Sequence, residues 1–97
     1  MRYILREAAL ADLEAIWLYT SNEWSVDQAD HYVRALLGRC EWLAENPLLG
    51  KQRDDLKVGY RYFPEGMHMV FYKQTKSGID VIGFLHQSMD VILHLET

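Results

Sequence analysis

One cysteine, no long apolar run and no surplus of basic charge constrain this chain before any element is placed. Cys40 has no second thiol, so it makes no intramolecular disulfide and cannot seed a thiolate metal cluster. It falls on an apolar helical stripe, which marks a small buried hydrophobe. A catalytic thiol needs a neighbouring base and exposure, and the sequence shows neither. No apolar stretch reaches the ~20 residues needed to cross a bilayer. The opening MRYILREAAL carries Arg2, Arg6 and Glu7, so it lacks a signal-peptide hydrophobic segment. A cytoplasmic protein without a membrane partner is expected. His31 and His94 have no Cys, Asp or Glu group at ligand spacing, so neither a metal nor a cofactor is expected. There is no glycine-rich phosphate loop and no Ser/His/Asp signature.

The charge that is present is unevenly placed. Residues 1–50 carry four basic and eight acidic side chains, and residues 51–97 carry six of each, for a net charge of −4. Nucleic-acid binding rests on neutralising phosphates and normally needs a basic face. The balance argues against broad nucleic-acid contact while leaving room for a small local patch. With 97 residues the chain forms a single domain with one modest core. Nearly half its residues are hydrophobic and a quarter charged, which is a globular balance.

Residues 2–6 are short, β-branched and aromatic, and predict a first strand. From Ala8 to Trp24 the pattern turns helical, with Leu10, Leu13, Ile16, Trp17 and Thr20 at spacings of three and four. Asp12 and Glu14 sit early, where the helix dipole favours negative charge. Ser25 with Gln28 three residues on predicts a new N-cap. Ala29, Tyr32, Val33, Leu36, Leu37, Cys40, Leu43 and Ala44 then form one continuous amphipathic stripe, which Asn46-Pro47 ends. So short a link makes the two helices an antiparallel hairpin. Residues 47–57 have no period and read as a loop. Strands are predicted from Tyr60 to Phe63, Met67 to Lys73 and Ile79 to Leu85, with turns at Pro64-Glu65-Gly66 and Thr75-Lys76-Ser77-Gly78. Met89 to Leu95 is a short amphipathic tail.

The expected fold class is therefore α+β, in the order β-α-α-β-β-β, with an antiparallel sheet covered on one face by an αα-hairpin. Met67, Met69 and Phe71 alternate with His68, Val70 and Tyr72, so both sheet faces carry apolar groups. Nothing obvious in the chain covers the second face, and such a sheet usually has a partner. Trp17, Trp24 and Trp42 are expected in the core or between the helices.

The ordered set Ala11-Asp12-Leu13-Glu14-Ala15-Ile16-Trp17, Gln28-Ala29, Tyr32, Leu43-Ala44-Glu45-Asn46-Pro47, Gly50, Gly59-Tyr60-Arg61, His68, Phe71-Tyr72, Leu85-His86 and Met89-Asp90 resembles the ParE toxins of the RelE/ParE superfamily. The resemblance covers nearly the whole chain. It implies a RelE/ParE-like fold, inhibition of DNA gyrase through its A subunit, and neutralisation by a ParD-like antitoxin in a hetero-oligomer. No sequence-specific nucleic-acid contact is expected.

The expected target-binding residues are Arg61, Lys73, His86, Met89, Asp90, Ile92 and Leu95, and the expected antitoxin-binding residues are Trp17, Tyr60, His68 and Phe71. No residue is expected to be catalytic. The rival reading is a RelE-like ribosome-dependent mRNA interferase, in which Arg61 and His86 would stabilise charge and move a proton. His86-Gln87-Ser88-Met89-Asp90 lacks the tyrosine or lysine that such a nuclease would often carry there. A third reading is an inactive member that only binds its antitoxin.

Overall fold

The structure is a computed structural model and describes residues 2–95. Strand β1 (Arg2–Leu5) leads into helices α1 (Glu7–Glu23) and α2 (Val26–Glu45). Strands β2 (Lys51–Gln52), β3 (Tyr60–Glu65), β4 (His68–Gln74) and β5 (Gly78–His86) follow, and helix α3 (Val91–Leu95) comes last. The five strands form one sheet in the order β1-β5-β4-β3-β2. The expected α+β arrangement is present, with one parallel pairing: β1 runs alongside β5 from Arg2↔Gly78 to Leu5↔Val81. The hairpin and strands β2 to β4 lie between the two in sequence, a connection far longer than the dozen residues that a parallel neighbour requires.

Helix α2 forms where its stripe predicts. Ser25 Oγ accepts the Gln28 N–H at 3.0 Å, closing the N-terminus. Ala29, Leu36, Cys40, Leu43 and Ala44 are all buried. Trp17 of α1 donates from Nε1 to Asp30 Oδ1 of α2 at 2.8 Å, tying the two helices together. On α1 only Ala9 and Leu13 are buried and Leu10 is exposed, which departs from the expected stripe. Trp24 also departs from expectation. It sits at the C-cap of α1, where the chain turns back, and 77% of it is exposed. Trp42 does pack inside, against Phe63 at 5.1 Å, with the Arg39 guanidinium over its ring.

The core has two parts. The larger lies between the hairpin and the sheet and includes Leu13, Leu36, Cys40, Leu43, Val70, Tyr72, Val81 and Phe84. Burial pushes the Cys40 thiol up to about 12, so it stays protonated and inert. The smaller part lies on the other sheet face, where Tyr60, Phe71, Ile82 and Leu85 are covered by Leu56 and by Val91 and Leu95 of α3. The second face is thus partly roofed by the chain itself, which corrects the expectation that nothing covers it.

Two further differences have local causes. The expected loop contains β2, two residues that pair Lys51↔Tyr62 and Gln52↔Arg61. The expected turn at Pro64-Glu65 belongs to β3, because β2 pairs only with Tyr62 and Arg61 and Pro64 lies beyond it, at a free edge. Proline is tolerated where no donor is required. Gly66 makes the turn with φ +58, and any Cβ there would run into the Tyr32 ring.

Candidate functional site

A register shift in β5 decides what the sheet presents. Phe71 pairs with Gly83 and Tyr72 with Val81, so Ile82 is an extra residue and forms a bulge. Before it, Ile79 and Val81 face the hairpin. Strict alternation would send Phe84 and His86 to the opposite face. The bulge reverses the phase, so Phe84 enters the main core and Leu85 the second one. His86, paired with His68, turns toward the hairpin side.

There the two imidazoles meet edge to face at 5.3 Å, and Tyr32 of α2 reaches down to them. Tyr32 Oη accepts the Met67 N–H at 2.9 Å and lies 2.6 Å from His68 Nδ1. A short hydrogen bond thus joins the phenol and the imidazole, and the same phenol oxygen holds the backbone at Met67. Burial pushes the His68 pKa below its usual value, and the neighbouring His86 adds to this. Burial likewise raises the Tyr32 pKa. His86 Nδ1 accepts the Ser88 N–H at 3.1 Å and contacts Ser88 Oγ at 2.8 Å.

These groups form the polar floor of a groove of about 640 Å³. Ile16, Tyr19 and Trp24 of the hairpin make one wall, and Met67 and Met89 the other. Tyr19, Trp24, Met67 and Met89 are all exposed. Aromatic and methionine side chains on a concave wall suit an apolar peptide face.

The remaining predicted residues are dispersed. Phe71 is fully buried and Tyr60 nearly so, both in the second core, and Trp17 is engaged with Asp30. His68 is the one expected antitoxin contact that lines the groove. Arg61 lies at the far end of the sheet, donating to Leu48 O at 3.3 Å and Gly50 O at 2.8 Å. It pairs with Tyr72, whereas His86 pairs with His68 four residues along β4, roughly 13 Å away at ~3.3 Å per residue. Arg61 and His86 are therefore not brought together as an acid–base pair. Lys73 is on β4 near Arg61. Asp90 Oδ1 accepts the Leu93 N–H at 3.2 Å and so starts α3. Met89 and Ile92 are exposed, and Leu95 packs on the second core.

Sequence reasoning did not place Tyr19 and Trp24 at a surface: Tyr19 lies off the stripe of α1, whereas Trp24 continues the stripe four residues after Thr20 and so read as core. For Tyr19, an aromatic residue off the stripe was the available signal. It also missed Asp12, whose Oδ2 accepts the Phe84 N–H at 3.0 Å and whose Oδ1 meets His94 at 3.3 Å. That carboxylate caps β5 beyond the end of β1, which is a tertiary role and more than a dipole effect. Among the described residues no group of three His, Cys, Asp or Glu could hold a metal ion, and no helix is long and apolar enough to cross a membrane.

Comparison with known proteins gives a consistent result. The family model described as the ParE toxin of the type II toxin-antitoxin system, parDE, matches residues 3–91. The chain is 46% identical over 91 residues to Toxin ParE1 of Mycobacterium tuberculosis (strain ATCC 25618 / H37Rv), covering 93% of both chains. It is 41% identical over 93 residues to Toxin ParE1 of Caulobacter vibrioides, covering 96% of both. In fold it is similar to a chain of the chromosomal ParDE TA system from P. aeruginosa. The TM-score is 0.74 at 17% identity, over 89% of this chain and 95% of that one. With its sequence matched over nearly its full length and its sheet and hairpin shared, this chain belongs to the ParE toxin family of type II toxin–antitoxin systems.

Proposed function

We propose that the protein arrests growth by binding DNA gyrase through its A subunit, with no chemistry of its own, and that a ParD-like antitoxin neutralises it within a hetero-oligomer. The observation that carries the antitoxin half is the open apolar groove between the hairpin and the β4–β5 end of the sheet, with Trp24 and Tyr19 standing exposed on its rim. An amphipathic helix or extended segment of the antitoxin fits there, its apolar side against Trp24, Met67 and Met89 and a polar group over His68. The groove explains neutralisation by overlap. His86 and Met89 belong both to its lining and to the target surface assigned to Arg61, Lys73, His86, Met89, Asp90, Ile92 and Leu95. An antitoxin segment in place would hide that part of the surface.

Two cellular readouts test this. Induced expression should stop growth, and co-expression of the adjacent ParD-like protein should restore it. In a purified translation reaction the protein should leave mRNA intact. Cleaved mRNA would replace this reading with the nuclease one, and growth-neutral expression would leave only an antitoxin-binding protein.

A further inference from the structure

The groove occupies one end of the sheet, and basic side chains collect at the other. Helices α1 and α2 together carry two basic and eight acidic side chains, while the rest of the chain carries eight basic and six acidic ones. The hairpin is thus net −6 and the remainder net +2. The positive charge gathers where β1 begins, β2 ends, β3 begins and β4 turns into β5. The pairings Arg2↔Gly78, Gln52↔Arg61 and Tyr60↔Lys73 put these points at one end of the sheet. Arg2, Arg53, Lys57, Arg61, Lys73 and Lys76 all lie there or in the loop and turn that close it.

The carboxylates of this end are already engaged. Asp80 pairs with Arg6 at 3.3 Å, Asp55 pairs with Arg53 at 2.9 Å, and Asp54 accepts the Gly59 N–H at 2.9 Å. Arg2, Lys57, Lys73 and Lys76 have no acidic partner among the described residues. A cleft of about 230 Å³ opens in the row, where Gln52 and Gln74 add amide donors beside Arg61 and Lys73, and Asp54 is the one carboxylate on its lining. Hydrogen bonds to the carbonyls of Leu48 and Gly50 fix the Arg61 guanidinium.

We propose that this sheet end is a sequence-independent binding site for the phosphate backbone of duplex DNA. The proposal deepens the gyrase reading, since gyrase acts on DNA, but its test does not depend on gyrase. Five strands spaced ~4.8 Å apart make the row roughly 19 Å long, which spans about five base-pair steps of a duplex. Single-stranded nucleic acid is held by stacking on exposed aromatic rings. Here no aromatic ring stands fully exposed: Tyr60 is buried, Tyr3 and Tyr62 are partly buried, and the exposed aromatics Tyr19 and Trp24 are at the groove end. The favoured ligand is therefore the charged rail of a duplex. With an acidic hairpin on the same molecule, binding is weak and strongly salt-dependent.

The test is fluorescence anisotropy of a labelled random-sequence duplex against the full chain, across about 50 to 200 mM salt. Wild type should bind at the low end and lose affinity as salt rises. Lys57→Ala/Lys73→Ala/Lys76→Ala should weaken binding and flatten the logarithmic salt slope by ~0.9 for each phosphate contact removed. The matching Lys→Arg triple variant should keep the slope. Failure of the wild type to bind at the lowest salt, or an unchanged slope in the alanine variant, would overturn the proposal. So would tighter binding to oligo-dT than to duplex, or displacement by poly-glutamate as effective as that by unlabelled duplex. Duplex binding with unaffected supercoiling would instead count against the gyrase reading alone.

Discussion

Trp24→Ala separates binding from folding most cleanly. Trp24 is 77% exposed in the free protein, so its removal exposes little and leaves no cavity. Stability should stay within ~0.5 kcal/mol of wild type, as for other surface changes. In the complex the same ring would be covered. A tryptophan side chain offers up to about 250 Å², and the exposed share of that, roughly 190 Å², is worth about 5 kcal/mol at ~25 cal/mol/Å² if fully buried. Incomplete burial and side-chain ordering reduce the figure, and central aromatic anchors typically lose about 2–4 kcal/mol on truncation. The expected outcome is a ~30- to 1,000-fold rise in the antitoxin Kd, read by calorimetric titration of the ParD-like partner, with an unchanged melting curve. A change below about threefold in a normally folded variant would refute the assignment of the groove to the antitoxin.

Other perturbations probe the scaffold. Tyr72 is fully buried, and its hydroxyl accepts the Gly50 N–H at 2.9 Å and donates to Pro47 O at 2.7 Å, pinning the loop after α2. Tyr72→Phe strands both groups and should cost about 1–3 kcal/mol in denaturant titration; full wild-type stability would mean the pin is idle. His68 has its folded pKa below the ordinary 6.5, so between those two values the unfolded chain binds more protons. Stability should therefore fall as pH drops below the unfolded value and level off above it, and thermal melts of His68→Gln should show a shallower slope. A wild-type curve that is flat there would contradict the lowered pKa of the half-buried imidazole. Cys40, buried with its thiol raised to about 12, should resist a thiol reagent until the protein unfolds; rapid native labelling would place it elsewhere.

The fold was legible where a single period dominates. The stripe from Ala29 to Ala44, the Ser25 cap and the Asn46-Pro47 stop are local signals, and α2 follows them to within a residue. Features that depend on what lies across the sheet were not legible. Lys51 and Gln52 form a strand only because β3 is beside them, and Pro64 is tolerated only because β3 has no neighbour beyond it there. The bulge at Ile82 leaves no mark in composition, yet it turns His86 from one sheet face to the other. Residue types assigned His68 to the antitoxin surface and His86 to the target surface, and the structure brings the two imidazoles together. It holds Arg61 at the far end, because register along β4 sets that distance and the sequence does not reveal register. Trp24 was misplaced because helical periodicity cannot tell where a helix ends beneath a partner and where it ends in solvent.

The central claim, a toxin directed at gyrase, is tested most directly by a supercoiling assay with purified protein, gyrase, ATP and relaxed plasmid. The account predicts loss of supercoiling with accumulation of cleaved plasmid, and reversal of both by the ParD-like antitoxin. Normal supercoiling at saturating protein, from a preparation that still binds the antitoxin, would contradict it.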